Sequence, residues 1–198
     1  MNVERARHLR DGVQRVYSAA AQQPQAKHPI KVGRQFAEAL GYLPEVLDAL
    51  PSLSAEAFAG VSNVHAFAEI PVGATVLDLG CGAGTDALIA ARRVGPAGRV
   101  VGVDFSEAML ARARQAASEA GVTNADFRYG EAEDLPIADG TIDVALANGI
   151  FNLNPAREAI FRELARVVRS GGVVYAAELI LREPLSREVQ ENEPNWFA

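Results

Sequence analysis

The chain has 198 residues, of which 49% are hydrophobic and 22% charged, and its formal net charge is −6 at pH 7. This length allows one sizeable core, while the acidic balance and the lack of any lysine- or arginine-rich run argue against a nucleic-acid-binding surface. No apolar stretch approaches the ~18 residues of a membrane span, the N-terminus is charged rather than signal-like, and one cysteine precludes an intrachain disulfide. We therefore expect a cytoplasmic globular protein.

The first 70 residues predict a helical lid. Residues 2–20 are amphipathic, with an apolar stripe made by Val3, Leu9, Val13, Val16 and Tyr17. A linker rich in glutamine and proline follows at 21–32. Beyond it we expect a break at 51–54 and short helices at 35–40, 44–50 and 55–61.

From residue 71 onward the pattern alternates between strands and helices. Buried strands are predicted at 75–79, 99–103, 125–129, 142–147 and 172–180, and helices at 86–93, 106–120 and 155–168. Ser106 is placed to cap the second of these helices and Gly121 to end it. The alternation predicts an α/β fold: a doubly wound, Rossmann-like, mostly parallel sheet with helices on both faces. Residues 71–198 would form this core and residues 1–70 the lid, within one compact domain.

The segment 75–84, Thr-Val-Leu-Asp-Leu-Gly-Cys-Gly-Ala-Gly, joins the first strand to its helix and is typical of a nucleotide-cofactor loop. Gly80, Gly82 and Gly84 let the backbone take positive φ and approach a ligand closely. Asp104 ends the second strand, about 20 residues beyond these glycines, where a carboxylate accepts hydrogen bonds from a ribose.

The details of this loop favour S-adenosylmethionine over NAD. A dinucleotide site uses G-x-G-x-x-G, whereas the spacing here is G-x-G-x-G. Asp78 and Asp86 flank the glycines and would repel a pyrophosphate, but they would attract the ammonium and sulfonium groups of S-adenosylmethionine. A short NAD-dependent dehydrogenase is therefore the weaker alternative.

Three ordered motifs resemble those of class I S-adenosylmethionine-dependent methyltransferases: residues 78–84, Val103-Asp-Phe-Ser-Glu-Ala-Met-Leu110 and Gly130-Glu-Ala-Glu-Asp-Leu-Pro136. The resemblance implies that the methionine part is held by Asp78, Gly80, Cys81, Gly82 and Gly84. It assigns the ribose to Asp104, the adenine faces to Phe105 and Met109, and the adenine edge to Glu131 and Ala132. The weaker alternative for Phe105 and Met109 is that they are core residues of the second crossover helix. The acidic cluster of Glu131, Glu133 and Asp134 would make cofactor contact or form a solvated loop.

Two further residues are candidates for the reaction itself. Tyr17 resembles a tyrosine that folds over the cofactor in related methyltransferases, although an amphipathic helix also needs such a side chain in its core. Asn148 follows the fourth strand, at the sheet edge where ligands bind, and would contact cofactor or substrate or else cap the next turn. Methyl transfer needs little acid–base chemistry, because the sulfonium is already activated and the protein chiefly aligns the reactants.

Residues 29–61, 148–155 and 178–198 resemble the arsenite methyltransferase group. That group holds As(III) with cysteine thiolates in three regions. This chain has Ser62-Asn63 in the first region and Gly149 in the second, and it stops close to where the third would begin. Because As(III) needs two or three thiolates and Cys81 is the one cysteine, we do not expect arsenite methylation. His8, His28 and His65 lack metal spacing, so no metal site is expected.

The end of the chain is short for this fold. Class I methyltransferases continue past the fifth strand to a helix and an antiparallel hairpin, and two C-terminal strands are apparently missing here. An apolar fifth strand left open at the sheet edge predicts self-association, as a homodimer, unless residues 185–198 cover it.

From the three motifs we expect methyl transfer from S-adenosylmethionine to a small-molecule acceptor. The alternative is a truncated, catalytically incompetent protein that binds S-adenosylmethionine and self-associates.

Overall fold

Five parallel strands make the sheet of this computed structural model, which describes residues 3–180 and Glu183. The strands are β1 (Thr75–Leu79), β2 (Arg99–Asp104), β3 (Ala125–Tyr129), β4 (Ile142–Asn148) and β5 (Val168–Ala177). Their order is β3-β2-β1-β4-β5, and every pairing is parallel. The predicted Rossmann-like α/β fold is therefore confirmed, and the described sheet is entirely parallel.

Helices cover both faces of the sheet because its central strands are apolar on both sides. Val76, Val100 and Val144 face a core shared with α5 (Thr85–Val94) and α6 (Glu107–Glu119). Leu77 and Val101 face the opposite core, which α7 (Arg157–Val167) covers. Such two-sided burial is what a parallel sheet requires.

The N-terminal part is helical, with α1 (Val3–Gln22), α2 (Arg34–Ala39), α3 (Pro44–Asp48) and α4 (Ser52–Glu56), followed by a 3-10 turn at Val64–Ala66. The guanidinium of Arg112 joins this part to α6: it donates to the carbonyls of Leu53 and Ala21 at 3.0 and 3.1 Å and to the Glu56 carboxylate at 2.8 Å. No helix in the described part of the chain is long and apolar enough to cross a membrane.

Two predicted boundaries are wrong. The helix expected at 55–61 begins at Ser52, directly after Pro51, and ends at Glu56. Pro51 has a φ of −58°, which suits the entry to a helix, so this proline starts an element rather than breaking one. The fifth strand begins at Val168, four residues before the predicted start, and ends at Ala177 rather than at 180. The early start includes an irregularity at residues 169–172, between the pairings of Val168 with Ile142 and of Val173 with Val144.

The predicted start and end of α6 are confirmed. The Ser106 side chain accepts a hydrogen bond from the Met109 backbone N–H at 3.3 Å and caps α6. Gly121 has a φ of +63° just beyond the end of that helix. Two expectations about the C-terminus cannot be compared with the structure: that two strands are missing there, and that residues 185–198 cover the sheet edge. Both fall on residues 181–198, which lie outside the described residues except for Glu183.

Candidate functional site

A cleft lies at the carboxyl ends of β1, β2 and β4. The chain passes from β3 on one side of β1 to β4 on the other, so the strand order reverses between β1 and β4. Loops diverge at such a switch point and leave a crevice for a ligand. Of the predicted site residues, those that line the cleft are Tyr17, Asp78, Gly80, Cys81, Gly82, Asp104, Phe105, Met109, Glu131, Ala132 and Asn148.

Gly84 is the predicted residue that does not line the cleft. Its φ is +85°, and a Cβ built there would lie 3.0 Å from the Ala113 Cβ and 3.2 Å from the Phe127 ring. Gly84 therefore lets α5 start close to α6 and β3. Cys81 does belong to the lining, but its Sγ packs over β2, only 2.9 Å from where a Cβ on Gly102 would lie. Burial raises the pKa of the Cys81 thiol, with Asp104 and Asp78 adding to the effect.

Asp78 brings an unsatisfied acceptor to the centre of the cleft. Its side chain is 2% exposed, and its Oδ2 atom has no hydrogen-bond partner among the described residues. Burial raises the pKa of Asp78 well above its ordinary range, and the nearby carboxyls of Asp86 and Asp104 raise it further. A buried acceptor without a donor is costly, and a cationic ligand would satisfy both its charge and its hydrogen bonding.

Asp104 stands at the end of the neighbouring strand and ties that strand to the glycine loop. Its Oδ2 accepts the Gly82 backbone N–H at 2.9 Å, and its Oδ1 accepts the Ser106 N–H at 2.8 Å. Burial raises the pKa of Asp104 to about 6, although these backbone hydrogen bonds oppose the rise. The carboxylate is thus held rigidly beside Asp78 at the edge of the cleft.

Helix α1 borders this cleft through Arg10, Val13 and Tyr17. The Gln14 amide donates to the Phe105 carbonyl at 2.6 Å, and the hydroxyls of Ser18 and Ser106 are 2.8 Å apart. One turn earlier, the Arg10 guanidinium pairs with Glu133. The second oxygen of that carboxylate accepts the Asn154 amide at 2.8 Å, which joins the lid to the loop after β4.

Tyr17 lies on the same helix and faces the cleft. Its ring contacts the small apolar cluster that contains Met109. Burial raises the pKa of the Tyr17 hydroxyl, and the nearby Asp104 and Glu178 carboxyls raise it further. Met109 is fully buried in that cluster and also lines the cleft, so both of its expected roles are compatible with its position.

The sequence pattern does not indicate the other side of the cleft. This side is formed by Arg10, Val13, Ala57, Phe58, Ala59, Gly60, Thr85, Asp86, Gly149, Ile150, Leu153 and Asn154. These residues lie outside the three motifs, on α1, on the irregular segment after α4, in the first turn of α5 and on the loop after β4. The sequence does single out Asp86, because it flanks the glycines, and Gly149, through the resemblance to the arsenite methyltransferase group.

Comparison with known proteins assigns the family. A profile of the methyltransferase domain family matches residues 70–197. The chain belongs to this family. The arsenite methyltransferase of Halobacterium salinarum is 40% identical over 131 residues, which are 66% of this chain and 34% of that protein. The demethylmenaquinone methyltransferase of Listeria monocytogenes is 38% identical over 125 residues, 63% of this chain and 48% of that protein.

A solved structure agrees with these relatives. The crystal structure of an arsenic(III) S-adenosylmethionine methyltransferase from Chlamydomonas reinhardtii superposes on this chain with a TM-score of 0.63 and 29% sequence identity. The match covers 83% of this chain and 56% of the other. The resemblance to class I methyltransferases, and to their arsenite methyltransferase branch, is thereby confirmed. The chain spans about a third of the curated arsenite methyltransferase and about half of the other two proteins.

The cofactor of this family is S-adenosylmethionine, as the glycine-loop spacing predicts. The residues of the cleft fit this group. The free Oδ2 of Asp78 suits an ammonium, Asp104 stands where ribose hydroxyls would donate, and Phe105 and Met109 offer polarizable surfaces to a purine. Within residues 3–180 and Glu183, no group of three or more metal-ligating side chains is placed to hold an ion.

Proposed function

We propose that this protein transfers a methyl group from S-adenosylmethionine to a small-molecule acceptor. The observation that carries the proposal is the buried, unpartnered Oδ2 of Asp78 beside the rigidly held carboxylate of Asp104. Two acidic side chains at adjacent strand ends suit a ligand that carries a cation at one end and a ribose in its middle. Family membership supports the same assignment.

The predicted site residues that line the cleft would hold different parts of the cofactor. Asp78 would accept from the ammonium, and the glycine loop would let the backbone approach the methionine part closely. Asp104 would accept from the ribose, Phe105 and Met109 would contact the adenine faces, and Glu131 with Ala132 its edge. Tyr17, brought over the cleft by α1, excludes water from the reacting atoms.

The bound cofactor supplies a methyl group on a sulfonium, and an attacking lone pair displaces neutral S-adenosylhomocysteine. The protein must therefore align the acceptor with the methyl group rather than supply a strong base. The side of the cleft left for the acceptor presents several apolar side chains, Val13, Phe58, Ile150 and Leu153, beside the polar Arg10, Asp86 and Asn154. We infer that the acceptor is a small, largely apolar molecule.

Arsenite is not the acceptor that we propose, although two relatives carry that activity in their names. Capture of As(III) needs several thiolates, and the one cysteine of this chain is Cys81. Its thiol is buried in the glycine loop with a raised pKa, which disfavours the thiolate. Gly149, at the second region where the arsenite group carries a cysteine, has no side chain to offer.

The test is calorimetric titration with S-adenosylmethionine and S-adenosylhomocysteine, followed by methyl transfer from labelled cofactor to a panel of thiols, quinols and metalloids. Micromolar binding and labelling of an apolar acceptor would support the proposal. Binding without transfer to any acceptor would instead support a catalytically incompetent cofactor-binding protein. A folded chain that binds neither ligand would refute both.

We also propose that the protein forms a homodimer through the outer edge of β5. Among the described strands, β5 pairs with β4 alone. Val173 and Val174 are 44% and 39% exposed, and Leu179 and Ile180 extend this apolar surface beyond the strand. An exposed, apolar strand edge favours pairing with another chain. Light scattering at micromolar concentration is expected to give twice the chain mass, and a clean monomer would refute the proposal.

A further inference from the structure

Asn148 ends β4 and is the side chain through which the N-terminal segment is attached to the sheet. Its Oδ1 accepts the backbone N–H groups of Val61 and Ser62 at 2.9 and 3.1 Å. Its Nδ2 donates to the Ser62 carbonyl at 2.8 Å and to the Asp86 Oδ2 at 3.0 Å. A primary amide offers two lone pairs and two N–H groups, so its capacity is fully used within the protein.

The network continues behind Asn148 through a buried carboxylate. The Tyr42 hydroxyl donates to the other oxygen of Asp86, Oδ1, at 2.6 Å. The Tyr42 ring packs edge-on against Phe58, with ring centroids 5.0 Å apart. Asp86 thus accepts from the Asn148 amide on β4 with one oxygen and from the Tyr42 hydroxyl with the other, and the Tyr42 ring packs against Phe58 in the segment after α4.

The segment held in this way is residues 57–62, which follow α4 without regular structure. Its backbone lies directly against the end of β4: a Cβ on Gly60 would approach the Asn148 Nδ2 to 2.5 Å, and one on Gly149 would approach the Val61 Cγ1 to 2.8 Å. Ala57, Phe58, Ala59 and Gly60 line the cleft. The Asn148 amide fixes the C-terminal end of this segment, at Val61 and Ser62, while the Gly33 N–H donates to the Phe58 carbonyl at 2.8 Å nearer its start.

The sheet order shows which part of the cleft this segment borders. Asp104, Asp78 and Asn148 stand at the ends of β2, β1 and β4, which are neighbours in that order. With the ribose at Asp104 and the methionine part at Asp78, the next position along the edge, at Asn148, is where an acceptor meets the methyl group. Residues 57–60 are a wall of that position.

We infer that Asn148 is a positioning residue that holds residues 57–62 as the wall of the methyl-acceptor site, and that it binds neither cofactor nor acceptor itself. The assignment of the wall to the acceptor rests on the proposed function. The structural part, a segment anchored to β4 at Val61 and Ser62 by the Asn148 amide, stands on the hydrogen bonds alone.

The test is Asn148→Asp, which keeps the size of the side chain but replaces its donors with an oxygen that faces the Ser62 carbonyl and the Asp86 carboxylate. Hydrogen exchange of the peptide covering 57–63 is expected to accelerate about tenfold or more. The KM for the acceptor found by labelling should rise by a similar factor, while the Kd for S-adenosylmethionine changes less than about threefold.

Asn124→Asp is a matched control. The Asn124 amide also donates to several backbone carbonyls, including those of Ala91 and Gly95 at 3.0 and 2.9 Å, but it precedes β3 at the opposite edge of the sheet. This variant is expected to lower the melting temperature without changing exchange in 57–63 or cofactor affinity. Tyr42→Phe serves if Asn148→Asp does not fold. It retains the ring but removes the hydroxyl, which lies within hydrogen-bond distance of Asp86, the Ser62 carbonyl and the Asn148 amide in the same network.

Unchanged exchange in 57–63 in both Asn148→Asp and Tyr42→Phe would overturn the inference. Loss of S-adenosylmethionine affinity in parallel with acceptor affinity would also overturn it, because Asn148 would then be a cofactor ligand. If no acceptor is ever labelled, the proposed function fails, yet the exchange measurement still decides whether Asn148 holds the wall.

Discussion

Asp104→Asn tests whether the buried charge of the Asp104 carboxylate destabilises the folded protein when no cofactor is bound. The carboxyl is 7% exposed, and burial raises its pKa from an ordinary 3.8 to about 6. At 1.36 kcal/mol per pKa unit, this rise is equivalent to about 3 kcal/mol at neutral pH.

The sign follows from proton linkage. Between pH 4 and 6 the folded state retains the Asp104 proton while the unfolded chain has released it, so the folded state binds more protons in this window. The free energy of unfolding therefore falls as pH rises through the window and becomes constant above about pH 6. Asp143 and Glu163, whose pKa values are lowered by hydrogen bonds and ion pairing, act in the opposite direction.

Because these opposing groups are common to both proteins, the informative quantity is the stability difference between wild type and Asp104→Asn. Urea unfolding at intervals from pH 4 to pH 7 is expected to show this difference shifting by about 2 kcal/mol in favour of the variant, since part of the full shift falls outside this range. Asp126→Asn, at a half-exposed aspartate on β3, is the control and should follow the wild type. A difference for Asp104→Asn that stays constant across this range would refute the reasoning.

Three further substitutions test separate parts of the structure. Asp78→Asn should weaken S-adenosylmethionine binding by about tenfold to a hundredfold in calorimetry, because a charged acceptor is lost. Its melting temperature should not fall, since the buried carboxyl is already unfavourable. Unchanged affinity would contradict the assigned role. Gly84→Ala should cost about 1–3 kcal/mol in urea unfolding, since it adds a Cβ 3.0 Å from Ala113 at a φ of +85°. Gly121→Ala, at positive φ but with no atom within 4 Å of the added Cβ, should cost less, and equal losses would show that crowding is unimportant. Ser106→Ala should cost about 1 kcal/mol through loss of the α6 cap, and a thermal melt indistinguishable from wild type would contradict the capping bond.

Much of the core could be predicted because its signals are local. The apolar run at 75–79, the glycines that follow it and the capping hydroxyl of Ser106 each act within a few residues of the chain. The five strands and the three core helices were therefore found, with the largest errors where turn chemistry decided a boundary, at Pro51 and at residues 169–172. S-adenosylmethionine was also predictable, since the loop spacing and its flanking aspartates lie in one short segment.

The far wall of the site was not predictable in this way. Residues 57–60 carry no motif, and they lie at the cleft where the chain that follows them, at Val61 and Ser62, is bonded to β4 by Asn148, which is 86 positions away from Ser62 along the chain. Arg10 and Glu133 meet across 123 positions for a similar reason. Contacts of this kind depend on how the whole sheet and its helices pack, and no local pattern encodes them.

The sequence by itself therefore determined the fold class, the cofactor and the strand ends that carry Asp78 and Asp104, because periodicity, glycine and charge act through neighbouring residues. Only the tertiary structure decided which surfaces close the cleft and how Asn148 is used. Those outcomes arise from the order of strands in the sheet and from hydrogen bonds between distant segments, which form only when the chain is folded.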